Sequence, residues 1–223
     1  MKTLTMIAIA SLVGAGTTRA ETSETNISPD RVSFYEVPLV CPAAPEIGCG
    51  SRSKPILLQL EKEQAVAEAW LNRPGTVIAV VWKSDTKQKQ RSATFEAVSK
   101  KEELKASKLK GSARRKALKD FSDRQQWHRG SDVDRLSEEE AGIIAARLVR
   151  RIQGKISVSE EKAKTIRTEF ANVFKRRFTG PQDENENTEE RLLGVLASHL
   201  DAKDVTLLKE TLPRSIRPLP GEQ

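Results

Sequence analysis

The sequence predicts an α+β protein in which a small βαβ-containing amino-terminal domain is followed by a helical carboxy-terminal domain. Two observations support this fold class. Segments rich in β-branched and apolar residues, such as 76–82, occur only in the first half of the chain. Apolar residues at helical spacing dominate the second half, from residue 136 onward. The 223 residues are enough for one large domain or two small ones.

The first twenty residues have the pattern of a secretory signal peptide. Lys2 is followed by an apolar run from Leu4 to Ala15, which is too short to span a bilayer. Thr18 and Ala20 satisfy the small-residue rule of a cleavage site. The expected product is therefore an exported protein, periplasmic or extracellular, that is cleaved near Ala20. No later segment is long and apolar enough to predict a transmembrane span.

The amino-terminal half predicts strands around a single early helix. Alternating apolar residues in 31–40 predict a strand, and a proline- and glycine-rich loop follows. Ser53 can cap a helix that has Pro55 in its first turn and ends near Asn72. The run TVIAVVW at 76–82 predicts a buried strand, so that strand, helix and strand form the start of a βαβ unit.

Predicted helices fill most of the rest of the chain. Residues 91–98 are expected to form another strand and residues from Lys100 a solvated helix, within a domain spanning 21–120. A linker is predicted at 121–135. The helical domain, 136–212, contains four amphipathic segments, the first opened by a capping box at Ser137 and Glu140. An extended tail is predicted at 213–223.

The charge balance favours an anionic partner. The chain has 38 Lys and Arg against 31 Asp and Glu, and it stays basic after removal of the signal peptide. For an exported protein this favours anionic components of the cell envelope. Aromatic residues are too few to stack on single-stranded nucleic acid, which argues against that partner. The candidate patch comprises Lys100, Lys101, Lys105, Lys108, Lys110, Arg114, Arg115 and Lys116.

Few residues have a pattern typical of catalysis. Metalloprotease, nucleophile-elbow and phosphate-loop motifs are absent from the sequence, which favours a non-enzymatic protein without excluding an enzyme. His128 and His199 could each donate to a metal ion, but single histidines in helices and linkers are more often solvated or packed. The chemically informative residues are the two cysteines, Cys41 and Cys49.

Residues 31–82 resemble the start of a heavy-metal-associated domain, which has a ferredoxin-like fold. Cys49 precedes Ile56 by seven residues and Leu60 follows four further on, as after the first cysteine of that family's CxxC loop. The resemblance implies binding of copper or another soft metal ion. Arg52 occupies the position of the second cysteine, and a cation cannot replace a thiolate ligand. A two-thiolate site would therefore need Cys41.

The segment Cys49-Gly-Ser-Arg52 also resembles a thioredoxin-type loop that has lost its resolving cysteine. A cysteine at a helix amino terminus has a lowered pKa, and Arg52 and Lys54 would lower it further. Three roles for the pair thus stay open: a structural disulfide, which is the default in an oxidising compartment, a metal site, and a redox site with Cys49 as nucleophile.

The helical half is similar to exported proteins of the Spy and CpxP type. Leu136-Ser-Glu-Glu-Glu140 and Val158-Ser-Glu-Glu-Lys162 are similar in form to the short starts of their amphipathic helices. The resemblance implies an envelope chaperone or metal-stress sensor. The helical half is expected to pack as a bundle or to form a dimer. The overall expectation is an exported, non-enzymatic envelope protein that binds or senses a soft metal ion. The alternatives are a thiol-redox protein and a chaperone-like helical protein with a Cys41–Cys49 disulfide.

Overall fold

The computed structural model describes residues 27–180, 187–209 and 216–222. The protein is α+β, as predicted, with a five-stranded antiparallel sheet in the amino-terminal half and helices mostly in the carboxy-terminal half. The strands are β1 (Val32–Glu36), β2 (Val40–Cys41), β3 (Ala44–Gly48), β4 (Val66–Asn72), β5 (Val77–Trp82), β6 (Ser107–Lys108) and β7 (Trp127–Arg129). The helices are α1 (Gly50–Lys62), α2 (Gln88–Lys101), α3 (Gly111–Asp120), α4 (Asp134–Gln153), α5 (Glu160–Thr179), α6 (Thr188–His199) and α7 (Ala202–Lys209).

The sheet has the strand order β6-β1-β5-β4-β7, and strands β2 and β3 form a separate hairpin. Strand β5 is antiparallel to both β1 and β4, so β1 and β4 run parallel with β5 between them. Helix α1 connects β1 to β4, and α2 connects β5 to β6 in the same way. The order of elements is therefore the split βαβ arrangement of ferredoxin-like folds, extended at one edge by β7.

The predicted helix over 53–72 is wrong in its second half. Helix α1 ends at Lys62, and Val66–Asn72 is strand β4, which lies between β5 and β7. Trp70 and Leu71 therefore belong to a strand and not to the buried face of a helix. The apolar residues of this segment fit both periods, and pairing on both edges decides in favour of the strand. Residues 76–82, here β5, supply the central strand of the sheet and not the second strand of a βαβ unit.

The strand predicted at 91–98 is also wrong, because this segment lies in helix α2. Phe95 and Val98 face the sheet from α2, and they are three residues apart, as helical packing requires. The predicted linker at 121–135 contains strand β7, whose Trp127 is buried against Phe34 and Phe121. This segment therefore contributes to the sheet and to its packing.

Both faces of the sheet are covered. Helices α1 and α2 pack on one face, where Leu57, Leu60 and Phe95 contact the side chains of β4 and β5. Helix α3 and the segment that follows it cover the other face, where Phe34, Phe121 and Trp127 form an aromatic cluster. The sheet is thus a central layer, which explains the continuous burial along β5.

Helices α4 to α7 form a second core. Helices α4 and α5 pack along most of their length through Ile144, Leu148, Phe170 and Phe174. Ser159 caps α5, because its side chain accepts a hydrogen bond from the amide of Lys162 at 3.3 Å. Helix α4 begins at Asp134, before the predicted capping box, so Ser137 and Glu140 lie inside the helix and are buried. Within the described ranges, no helix is long and apolar enough to cross a membrane.

The described part of the predicted tail, residues 216–222, packs against α4. The Arg151 guanidinium donates to both carboxylate oxygens of Glu222, at 2.9 and 2.6 Å, and to the carbonyl of Arg217. Arg147 donates to the carbonyl of Ile216 at 2.9 Å. The end of the chain therefore lies along the same helix that contacts the cysteine hairpin. The predicted signal peptide, residues 1–20, and residues 210–215 lie outside the described residues.

Candidate functional site: a buried thiol pair

The two cysteines lie at either end of the β2–β3 hairpin. Cys41 ends β2, and Cys49 follows β3. The amide of Cys49 donates to the carbonyl of Leu39 at 2.7 Å, which closes the hairpin beside β1. The β4–β5 turn packs against this hairpin through Gly75, which has φ of 73°. A Cβ on Gly75 would lie 2.5 Å from the Leu39 carbonyl oxygen, so only glycine allows this approach.

Cys49 is the residue that precedes helix α1. Its backbone is extended, and its carbonyl accepts hydrogen bonds from the amide and the hydroxyl of Ser53, at 3.0 and 2.7 Å. The Sγ of Cys49 lies 3.4 Å from the Ser51 hydroxyl. This position puts the sulfur beside the amide groups of the first turn of α1, where the helix dipole favours a thiolate.

Both cysteines are free thiols buried in one apolar cluster, where they lie close enough to shift each other's pKa. Cys41 is 1% exposed and Cys49 is 7% exposed. The amide of Ala43 donates to the Sγ of Cys41 at 3.3 Å. The eight-residue spacing in the sequence therefore brings the sulfurs together across a proline-containing hairpin, as the two-thiolate hypothesis requires.

The pKa values of the two thiols are shifted in opposite directions. The hydrogen bond from Cys41 is the main cause that lowers the pKa of Cys49 to about 5. The Ser51 hydroxyl, the Arg52 amide and the Arg52 charge lower this pKa further, while burial opposes them. The same hydrogen bond raises the pKa of Cys41, and burial and the nearby carboxylate of Glu140 raise it more. These shifts favour a thiolate at Cys49 and a protonated thiol at Cys41.

Glu140 is the part of the site that the sequence analysis missed. It extends from α4 to Cys41, it is 5% exposed, and its Oε2 has no hydrogen-bond partner among the described residues. Burial raises the pKa of this carboxyl, and a hydrogen bond with Cys41 offsets part of that rise. A usable signal was present, because Glu140 lies four residues before Ile144 on the apolar stripe of its helix.

Arg147 connects the site to the rest of α4 and was also missed. It is 3% exposed, and its Nη1 donates to the carbonyl of Ala43 at 2.7 Å, within the turn between the cysteines. The same nitrogen donates to the carbonyl of Ile216. The cysteine hairpin belongs to the helical core, together with Ile144 and Leu148. The site therefore lies between the two halves of the protein.

The other predicted site residues are dispersed. His128 lies on β7, and burial lowers its pKa, while His199 lies 3.0 Å from Glu169 between α5 and α6. Neither histidine contributes to the thiol pair. Within the described part of the chain, no group of three or more His, Cys, Asp or Glu side chains could hold a metal ion. Any metal bound by Cys41 and Cys49 would therefore have these two sulfurs as its main ligands.

Comparison with protein-family models, with curated proteins and with solved structures found no match for this chain. The resemblances to heavy-metal-associated domains and to helical envelope proteins thus stay predictions from short motifs. The class of molecule defined by the fold and the site is a ferredoxin-like α+β protein with a buried thiol pair under a helical bundle.

Proposed function

We propose that the protein binds a soft metal ion, with copper(I) as the representative ion, through Cys41 and Cys49. The observation that carries this proposal is that Cys41 and Cys49 are buried in one cluster and lie close enough to shift each other's pKa. Thiolates are the ligands preferred by copper(I) and other soft ions. Two sulfurs on opposite sides of one ion would provide a linear site, which needs no third ligand.

The electrostatics of the pair favour a cation. The lowered pKa of Cys49 favours its thiolate at neutral pH, and the negative charges of Cys49 and Glu140 disfavour ionisation of Cys41. A bound monovalent cation would offset that repulsion, so that the Cys41 proton could leave as the ion binds. The burial of both sulfurs would keep water from competing for the ion.

Burial also supports a binding function over an enzymatic one. Cys49 is only 7% exposed, which leaves little room for attack on a disulfide in a folded partner protein. A metal ion delivered by a small-molecule carrier could reach the two sulfurs through a much smaller opening than a disulfide of a folded protein. The position of the pair between the first strand and the first helix is also where heavy-metal-associated domains have their CxxC motif, with Cys41 here in place of the second cysteine.

The direct test is a copper(I) titration of the reduced full-length protein against a chromophoric competing chelator. We expect one ion per chain, with binding lost in Cys41→Ser and in Cys49→Ser. Ser51→Ala is the matched control, because it removes a neighbour of the Cys49 sulfur without removing a sulfur ligand. Failure of the wild-type protein to compete for copper(I), or equal binding by either cysteine variant, would overturn the proposal.

A thiol-redox function is the second candidate, and the unequal acidity of the two thiols favours it. The Cys49 thiolate would attack a small disulfide and form a mixed disulfide, and Cys41 would then displace the second thiolate to leave a Cys41–Cys49 disulfide. This function would be favoured if the wild-type protein catalyses disulfide exchange without binding copper(I), and if Cys49→Ser abolishes that exchange. A disulfide that forms without either activity would indicate the structural role.

The predicted signal peptide would direct the protein to the cell envelope, where either function would then operate. An oxidising compartment would convert the free pair to a disulfide unless a metal ion or a reductant protected it. Mass spectrometry of protein purified from the envelope without reductant reports the cleavage site, the thiol state and any bound ion in one sample.

A further inference from the structure

A second candidate site lies beside α2, at the edge of the sheet that β6 forms. A crevice of about 230 Å³ lies between α2 and strands β1 and β6. The helix contributes residues three or four positions apart, which lie on one face. The residues that line the crevice are Tyr35, Ser92, Phe95, Glu96, Ser99, Ala106 and Lys108.

Two residues that line this crevice carry buried hydroxyl groups without a hydrogen bond of ordinary geometry among the described residues, Tyr35 and Ser99. Tyr35 is 5% exposed, and its ring stacks on Phe95 with the ring centroids 3.4 Å apart. Burial raises the pKa of Tyr35 and the nearby Ser33 side chain offsets part of that rise, but the Ser33 hydroxyl accepts the indole N–H of Trp82 at 2.9 Å. Because an unpaired buried hydroxyl destabilises the fold, two beside one crevice indicate a missing acceptor.

The same crevice contains a cation in an electropositive setting. Burial lowers the pKa of the Lys108 ammonium, and the charges of Arg91, Lys110 and Arg114 lower it further. Both arginines are fixed in place, because Arg91 donates to the carbonyl of Thr86 at 2.9 Å and Arg114 to that of Pro29 at 2.6 Å.

The acidic side chains near this site are fewer than the basic ones. Glu96 lines the crevice, and Asp30 lies near Arg91. Glu36 accepts from the Ser107 hydroxyl on β6 at 3.4 Å. The four basic groups, Arg91, Lys108, Lys110 and Arg114, therefore outnumber the three carboxylates.

We propose that this crevice binds the phosphate group of a small phosphate monoester or of a lipid headgroup, with Tyr35, Ser99 and Lys108 as the donors. A phosphate offers several acceptor oxygens, and these three donors have complementary hydrogens. The crevice is smaller than the 300–1,000 Å³ usual for drug-sized ligands, which restricts the buried part to one such group. This inference does not depend on the thiol site. It restricts the expected site of anion binding from the whole predicted basic patch to one pocket.

The test is binding of inorganic phosphate and of glycerol 3-phosphate to the full-length protein, followed by NMR chemical shifts of the α2 and β6 amides. We expect saturable binding to the wild-type protein and weakening by about tenfold or more in Tyr35→Phe and in Lys108→Gln. Lys119→Gln is the matched control, because it removes the same charge from an exposed position outside the predicted basic patch. That variant should bind within about twofold of the wild-type protein.

The variant Tyr35→Phe separates binding from folding. It removes one unpaired hydroxyl and keeps the stacked ring, so the thermal midpoint without phosphate should be equal to or above that of the wild-type protein.

A parallel experiment measures binding to vesicles of phosphatidic acid in phosphatidylcholine, with vesicles of phosphatidylcholine alone as the reference. Tyr35-dependent binding of free phosphate but not of the phosphatidic acid vesicles would identify a small phosphate ligand. Tyr35-dependent binding of the vesicles as well would identify a lipid headgroup. Either result supports the site. Absence of saturable binding to both probes, or unchanged binding by Tyr35→Phe, would overturn it.

Discussion

At the scale of single residues, the chemistry of this protein is concentrated in two sulfurs that the fold places in unequal environments. Cys49 lies at the start of a helix beside Ser51 and Arg52, whereas Cys41 lies against the Glu140 carboxylate. Identical side chains therefore differ in acidity because of their neighbours, and the difference can be measured without knowledge of the ligand.

We predict that the Cys49 thiol titrates with a midpoint near pH 5 in the reduced protein. An ordinary thiol has a pKa of about 8.5, so the thiolate should be the dominant form at neutral pH. The rate of alkylation by iodoacetamide, followed against pH by mass spectrometry of the labelled peptide, measures this midpoint. Cys41→Ala should shift the midpoint upward, because the hydrogen bond from Cys41 is the largest stabilising contribution.

The control for this titration is Cys49→Ser, in which the labelling step near pH 5 should disappear. A step that persists in this variant would assign the acidic thiol to Cys41 and contradict the proposed order of acidities. A midpoint in the ordinary thiol range for the wild-type protein would show that the two sulfurs are not in contact.

At the scale of elements, the contact between α1 and α4 joins the sheet domain to the helical core. Gly50, the first residue of α1, lies directly against α4. A Cβ at this position would lie 2.8 Å from the carbonyl oxygen of Val133 and even nearer to the hydroxyl of Ser137. The two helices approach this closely because residue 50 has no side chain.

We predict that Gly50→Ala lowers the free energy of unfolding by about 1–3 kcal/mol, because the added methyl group forces α1 away from α4. Gly142→Ala, on α4, is the matched control, because a Cβ there has no atom within 4 Å. That control should raise the free energy of unfolding by up to about 1 kcal/mol, through the higher helix propensity of alanine. Urea denaturation measures both, and equal stability of the two variants would contradict the close packing of α1 on α4.

At the scale of the whole molecule, the described end of the chain is tied to the helix that supports the thiol site. The Arg151–Glu222 ion pair and the Arg147 hydrogen bonds place residues 216–222 beside the cysteine hairpin. The hydrogen bond from Arg151 is the main cause that lowers the pKa of Glu222 to about 2. The anchoring of this segment is therefore expected to depend on pH.

The depressed pKa fixes the sign of this dependence. The contribution of Glu222 is fully present above its unfolded pKa of 4.5 and is lost as the pH falls toward 2. We predict that the backbone NMR signals of residues 216–222 shift to values typical of a disordered chain between these pH values. Glu222→Gln should give the same shift at neutral pH, because it removes the ion pair.

Glu46→Gln, on the exposed side of β3, is the control for this experiment and should leave the segment in place. If the NMR signals of residues 216–222 are unchanged in Glu222→Gln, the prediction is wrong. The Arg147 contact and apolar packing then suffice to hold the segment in place. Digestion by a carboxypeptidase provides an independent readout, because a released segment should be trimmed faster at neutral pH.

The sequence by itself predicted the fold class, the central strand at 76–82 and the helices from residue 136 onward. These features follow from local patterns: a continuous β-branched run, and apolar residues at a period of 3.6. The sequence also directed attention to Cys41 and Cys49, because they are the only cysteines in the chain. Local patterns did not decide between strand and helix at 66–72 or at 91–98, where short apolar runs fit either period.

Only the tertiary structure decided which residues meet. Pairing with β5 and β7 made β4 a strand, and packing of α4 on the hairpin brought Glu140 and Arg147 to the cysteines from about one hundred residues away in sequence. No local pattern encodes such contacts, because they arise when separate elements bury their apolar faces against each other. The acidity of Cys49 is likewise a property of the folded hairpin, since it depends chiefly on the sulfur of Cys41.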